Sequence, residues 1–169
     1  VENSENPGIY MFEAPMGCGK TETSLAASEI LTSKCGKNGV FFGLPTQATA
    51  NGIFPRILSW AEKQSTEFYH SVQLNHGSAT LNSLFQNIQM GIPQEESDSG
   101  LIIHNWFCDS KKACLADFVT ATVDQMLMLA LKRKHVMLLH LGLSEKVVVI
   151  DEVHAYDAYM SEYLEMALQ

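Results

Sequence analysis

Apolar residues fall along this chain in short runs, with longer stretches of helical spacing between them. Ile9-Tyr10-Met11-Phe12 reads as a buried strand and Val40-Phe41-Phe42-Gly43-Leu44 as a second. Val147-Val148-Val149-Ile150 lacks any polar alternation, the pattern of a strand buried on both faces of a parallel sheet. Shorter strands are predicted near Val72 to Asn75, Leu101 to Ile103 and Asp117 to Thr120. Helices are predicted from Lys20 to about Ser33, and from Thr46 to Gln64 with Phe54, Ile57, Leu58 and Ala61 on one face. A further helix capped by Ser78 runs through Ile88, and another spans Thr122 to Lys134 with Val123, Met126, Leu127 and Ala130 aligned. The last covers about Asp157 to Leu168. Pro55 predicts a kink or a late start in the second helix, and residues 90–100 read as a loop by composition.

Strands alternating with helices predict an α/β fold, a mostly parallel sheet flanked by helices in one domain. Composition agrees with a packed domain: 169 residues, 46% hydrophobic and 18% charged, are enough for a core and exclude disorder. The balance of 11 Lys plus Arg against 19 Asp plus Glu, a net −8, excludes a general basic coat for nucleic acid, so any such contact is local. The longest apolar stretch, Met126 to Leu131, is too short to cross a membrane. Cys18, Cys35, Cys108 and Cys114 form no CxxC pair and no zinc spacing, and read as reduced thiols of a cytoplasmic protein.

Two segments carry chemistry. Ala14-Pro15-Met16-Gly17-Cys18-Gly19-Lys20-Thr21 matches the phosphate-binding loop GxxxxGKT except that Ala14 stands at the first glycine. Small residues there let backbone N–H groups cradle phosphate oxygens, and the following helix adds its positive N-terminal end. Lys20 would reach the β- and γ-phosphates, and Thr21 would hold Mg2+. The second segment, Asp151-Glu152-Val153-His154, follows the Val147 to Ile150 run, and the carboxyl end of a parallel strand is where open α/β sheets bind ligands. Asp151 would engage the Mg2+ of a nucleotide through water, Glu152 would orient and deprotonate the water attacking the γ-phosphate, and His154 would sense the nucleotide. The competing reading of this segment is an acidic helix start, which Asp and Glu favour anyway.

Together the two segments resemble the first motor domain of superfamily 2 helicases, and the CRISPR-associated Cas3 helicase family in particular. The resemblance runs through Glu13 to Glu22, Leu44 to Asn51, Thr122 to Leu127 and, most specifically, Val148 to Met160, with His76-Gly77 and Trp106-Phe107 at comparable positions. It implies a RecA-like P-loop NTPase fold with ATP and Mg2+ as ligands. The implied activity is an ATP-driven motor moving along single-stranded DNA, recruited by a guide-RNA surveillance complex (Cascade-like). By the same resemblance Pro45, Thr46 and Gln47, and then Thr120, Thr122 and Asp124, match segments that touch the DNA backbone. Pro45-Thr46 also reads as an ordinary strand-to-helix turn with Thr as cap, and Thr122 as a helix cap.

The family also carries a second RecA-like domain, a Ser/Thr-Ala-Thr coupling motif after the acidic segment and an HD nuclease; residues 1–169 hold no His-Asp doublet, and Thr120-Ala121-Thr122 precedes the acidic segment and is no substitute for the coupling motif. The chain is thus expected to be an N-terminal RecA-like ATP-binding domain that hydrolyses ATP poorly alone. Two rivals stay open: another DExH-type RNA or DNA motor, and a non-enzymatic nucleotide-dependent module. Cys18 reads as a loop spacer or a redox-sensitive thiol. Lys111-Lys112 and Lys132-Arg133-Lys134 read as solvated ends or phosphate contacts. The charge is uneven as well, since residues 151–169 hold five acidic groups and no Lys or Arg.

Overall fold

A computed structural model describes residues 8–64, 70–79, 82–89, 101–108, 112–131 and 134–168. Helix α1 (Lys20–Cys35) is followed by β1 (Gly39–Leu44), α2 (Gln47–Gln64) and β2 (His70–Asn75). Next come α3 (Ser83–Gln89), β3 (Leu101–Ile102), β4 (Phe118–Thr122) and α4 (Val123–Leu127). Helix α5 (Val136–Ser144), β5 (Lys146–Ile150) and α6 (Ala158–Leu168) complete the order. The five strands form one sheet in the order β3-β2-β4-β1-β5, and every pairing is parallel. The α/β expectation is met.

Side-chain alternation divides the core into two layers. On one face Val40, Phe42, Leu44, Val72, Leu74 and Phe118 meet Leu25 of α1, Ile53, Phe54, Ile57 and Leu58 of α2 and Phe85 of α3. On the other, Phe41, Val119, Ala121, Val148 and Ile150 meet Met126, Leu139, Leu143 and Leu164 of α4, α5 and α6. Central β1 is buried along its whole length, as a strand covered on both faces should be. Pro55 sits inside a continuous α2, and neither breaks it nor delays its start past Gln47.

Several expectations are corrected. Ile9-Tyr10-Met11-Phe12 forms no strand, and Ile9, Met11 and Phe12 are exposed. An apolar run signals burial, but a strand also needs an open ladder beside it, and among the described residues none pairs with this run. The Val147 to Ile150 run is a strand, yet it is only partly buried, because β5 lies at the sheet edge. Ser78 does not start a helix: its N–H is taken by His76 Nδ1, and α3 begins after Asn82, whose Oδ1 accepts the Phe85 N–H. The helix expected from Thr122 to Lys134 stops at Leu127, passes through a 3-10 turn at Met128–Ala130 and gives way to α5. The turn sends the chain back so that Leu139 and Leu143 cover the sheet, a change of direction that unbroken apolar spacing cannot register. The loop expected at residues 90–100, and Lys111, Lys132 and Arg133, lie outside the described residues.

Candidate functional site

Parallel pairing brings the candidate segments to one edge. Leu44 is in register with Thr122, Gly43 with Ile150, and Asn75 with Ala121, so β1, β2, β4 and β5 end together. From that edge emerge Pro45-Thr46-Gln47, His76-Gly77, Val123-Asp124 and Asp151-Glu152. Leu25, early in α1, packs against Phe42 and Leu44 in the carboxyl half of β1, so the start of α1 and the loop before it lie at this same edge.

The loop from Ala14 to Thr21 has the backbone that its glycines allow. Gly17 (φ 81°) and Gly19 (φ 75°) are both left-handed, a conformation costing a residue with Cβ roughly 1–2 kcal/mol. Gly19 is the N-cap of α1 and provides no side-chain cap, which leaves the helix's first amides without a capping side chain. The Lys20 ammonium donates to the Ala14 carbonyl at 3.1 Å, closing the loop end to end. Thr21 is half-buried in the first turn, while Pro15, Met16 and Cys18 are exposed. An exposed ion pair between Glu22 and Arg56 fastens α1 to α2 just behind the loop.

Asp151 continues the β5 ladder, its N–H donating to the Gly43 carbonyl at 3.0 Å. The Asp151 Oδ1 accepts the Glu152 N–H at 2.9 Å, which holds that carboxylate in place. Glu152 is left-handed at φ 53°, one of two described non-glycine residues with positive φ. Strain of this kind concentrates at functional sites. The Glu152 side chain is exposed, as is His154 in the 3-10 turn Val153–Ala155. Helix α1 packs against β5, so the loop and the acidic pair belong to neighbouring elements.

The two nucleic-acid candidate segments differ. Thr46 is exposed and is a helix cap: its Oγ1 accepts the Thr49 N–H, and Thr49 Oγ1 accepts the Thr46 N–H. The capping alternative is therefore realised at Thr46. Gln47 is exposed and Pro45 half-buried beside it. Thr122 makes no side-chain cap to α4 and is nearly buried, whereas Asp124 is exposed. Thr120 is fully buried with an unpartnered hydroxyl, so its side chain does not reach the edge; a resemblance by position carries no information about burial.

Four residues beside the site, His76, Asn51, Asn82 and Tyr156, have no individual role assigned from sequence. His76 Nδ1 accepts the Ser78 N–H at 3.2 Å, which leaves Nε2 as the donor to Asn51 Oδ1 at 3.1 Å. Asn82 Nδ2 also donates to Asn51 Oδ1, at 2.8 Å, tying α2 to the segment after β2. Burial lowers the pKa of this neutral imidazole below its ordinary 6.5. Tyr156 is buried and its hydroxyl donates to the Asp151 carbonyl at 3.3 Å. Burial, and then the carboxylates of Asp151, Asp124 and Glu152, raise the phenol's pKa well above its usual range. No periodic signal marks Tyr156, because it stands in an irregular turn; Asn51 and Asn82 become informative only when folding joins them.

Comparison with known proteins now places the chain. It is 55% identical over 174 residues to the CRISPR-associated nuclease/helicase Cas3 of Streptococcus thermophilus, covering all of this chain and 19% of that protein. It is 40% identical to the CRISPR-associated endonuclease/helicase Cas3 of Thermus thermophilus, again over all of this chain and 19% of the relative. The chain thus spans about a fifth of the length of these relatives. The crystal structure of T. fusca Cas3-ATP superposes with a TM-score of 0.78 at 35% identity, covering 92% of this chain and 16% of that one. Residues 2–167 match the family described as type III restriction enzyme, res subunit, so the chain belongs to that family and is similar over its whole length to the Cas3 nuclease/helicases.

Proposed function

We propose that residues 1–169 form the N-terminal RecA-like ATP-binding domain of a Cas3-like, ATP-dependent single-stranded-DNA translocase acting in CRISPR interference. One observation carries the reading: a GKT loop with two left-handed glycines opens a helix packed against the very strand that ends in Asp151-Glu152. A T. fusca relative solved with ATP supports the choice of nucleotide.

In this reading the loop amides and the first turn of α1 hold the phosphates, and Lys20 leaves the Ala14 carbonyl for the β- and γ-oxygens. Glu152 would accept a proton from the attacking water, and the Asp151 carboxylate, oriented by the Glu152 N–H, would hold Mg2+. His154, exposed one turn further on, reports the state of the nucleotide to a neighbouring domain. The donor set fits Mg2+, a hard cation that keeps several waters: one hydroxyl (Thr21) and one carboxylate (Asp151) suffice beside phosphates. Among the described residues no cluster of three His, Cys, Asp or Glu exists that would build an all-protein cage. Mg2+, when bound with the nucleotide, neutralises charge on the β- and γ-phosphates.

The exposed side chains of Thr46, Gln47 and Asp124, with the turn at Pro45 and Thr122, lie along the edge where a strand backbone would run. Neutral polar contacts from Thr46 and Gln47 to phosphate and sugar suit a motor that must let go of each nucleotide without reading it. A second RecA-like domain supplies the arginines that complete ATP hydrolysis, and a guide-RNA surveillance complex delivers the DNA. No disulfide joins the described cysteines, in keeping with a reducing cytoplasm. No described helix is long and apolar enough to cross a membrane.

The test is ATP turnover by the full-length protein with and without single-stranded DNA. Stimulation by DNA but not by RNA of equal length supports the reading. Equal stimulation by RNA points to a different DExH motor, and ATP binding without turnover points to a nucleotide-dependent module.

A further inference from the structure

Beyond Asp151 the described chain leaves the strand ladder, and from residue 152 to 168 only one described side chain is buried: Tyr156. Its ring packs with Val123 and Leu127 of α4, and with Ile150 and Met160. Its hydroxyl donates back to the carbonyl of Asp151 at 3.3 Å. The carboxylates of Asp151, Asp124 and Glu152 all act electrostatically on the same side chain. Tyr156 therefore touches two segments to which different ligands are assigned above. One is the acidic pair at the end of β5. The other is the turn from β4 into α4, where Thr122 and Asp124 stand.

We propose that Tyr156 is the positioning residue through which the nucleotide at Asp151-Glu152 sets the grip of the β4–α4 turn on single-stranded DNA, an inference that rests on the function proposed above. The physical grounds are three. A buried aromatic ring in close packing moves with its neighbours, because core voids are costly. The backbone it holds is strained at Glu152, so the acidic pair sits where a small shift in contacts changes conformation. The strand ladder that fixes Asp151 ends at the Gly43 carbonyl, and past that point Tyr156 links the acidic turn to α4. A change at Asp151-Glu152 upon nucleotide binding is thereby conveyed to Val123 and Leu127, and with them to Asp124.

The experiment uses the full-length protein and a single-stranded oligothymidylate as probe. DNA affinity is measured with and without a non-hydrolysable ATP analogue, for wild type, Tyr156→Phe and Tyr156→Leu. Tyr156→Phe keeps the ring and loses the bond to Asp151; Tyr156→Leu also loses most of the packing on α4. The expected result is that the ratio of the two affinities moves toward unity, by roughly fivefold in Tyr156→Leu and by less in Tyr156→Phe. A merely structural role would lower the melting temperature, and both affinities together, without moving the ratio. Retention of the wild-type ratio in folded Tyr156→Leu and Tyr156→Phe would overturn the inference. If Tyr156→Leu does not fold, an unchanged ratio in Tyr156→Phe overturns it alone. A wild-type protein whose DNA affinity ignores nucleotide fails the function proposed above, a result read before any variant.

Discussion

The Lys20 ammonium donates to the Ala14 carbonyl across 3.1 Å, so the last part of the phosphate loop is tied to its first residue. The charge is thus stored beside the place where phosphate oxygens would sit, on a single neutral acceptor that a phosphate outcompetes, since an anionic acceptor adds the attraction of unlike charges to the hydrogen bond. Lys20→Ala is expected to lower ATP affinity by about a hundredfold, the loss of ~3 kcal/mol of a charged hydrogen bond. Thermal stability without nucleotide should hardly change. Calorimetric titration of both proteins with ATP checks this, and full retained affinity would remove the assignment.

Glu152 differs from its neighbour in what holds it. The Asp151 carboxylate accepts the Glu152 amide, whereas the Glu152 side chain is exposed. Glu152→Gln keeps the shape and removes the proton acceptor. In the full-length protein the variant should bind ATP as wild type does, while turnover falls by about 10²–10⁴-fold, the usual share of a general base. Single-turnover hydrolysis measures it, and a loss of nucleotide affinity equal to the loss of rate would instead mark Glu152 as a binding residue.

The elements that sequence pattern found best were those whose burial matches a simple template, one apolar stripe for a helix or an unbroken apolar run for a central strand. Helix α2, with Phe54, Ile57, Leu58 and Ala61 aligned, was placed to within a residue. Strand β1, apolar throughout, was placed equally well. Helix α5 had no such signature: VMLLHLGLS is apolar nearly all round, yet Met137 and Leu141 are exposed while Leu143 is buried. The chemistry of the loop and of the acidic pair was legible because each is a contiguous string. What makes them neighbours was not, since it depends on a parallel register joining residues about a hundred positions apart. Ile9 to Phe12 misled for the same reason, as strand pairing is a relation between segments and an apolar run describes only one.

Gly19 carries a conformational demand that is separable from space. A Cβ there would meet only Glu22 Oε2 at 3.7 Å, an ordinary contact, but the φ of 75° disfavours any L side chain. Gly19→Ala is therefore expected to remodel the loop while leaving the core unaltered. ATP affinity should drop by roughly tenfold, the ~1–2 kcal/mol cost of a left-handed alanine, with little change in far-ultraviolet circular dichroism. Equal affinity would mean that the bound loop does not use this backbone state.

Thr46 and Gln47 are adjacent and should behave differently. Thr46 caps α2 through its reciprocal bonds with Thr49, so Thr46→Ala should cost about 1 kcal/mol of stability whatever happens to DNA binding. Gln47 is exposed at the sheet edge, and Gln47→Ala should leave the melting temperature in place while weakening oligonucleotide binding by a similar factor for every sequence tested. Denaturation curves with binding titrations on mixed and homopolymer strands separate the two.

His76 makes the fold sensitive to acid. Its neutral ring uses both nitrogens, Nδ1 accepting from Ser78 and Nε2 donating to Asn51. A second proton would turn Nδ1 into a donor pointed at another donor. Burial lowers its pKa from 6.5 in the fold, so below that pH the unfolded chain takes up the proton more readily than the native one. The stability this residue contributes is complete above pH 6.5, and is lost as the pH falls from there toward the lowered native value. His76→Gln keeps hydrogen-bonding capacity but does not titrate. Melting temperatures of both proteins from pH 8 to pH 5 should therefore converge in acid, with wild type falling more steeply below 6.5. Parallel curves would show that His76 takes up its proton as easily folded as unfolded, against the enclosed geometry of the Asn51–His76–Ser78 network.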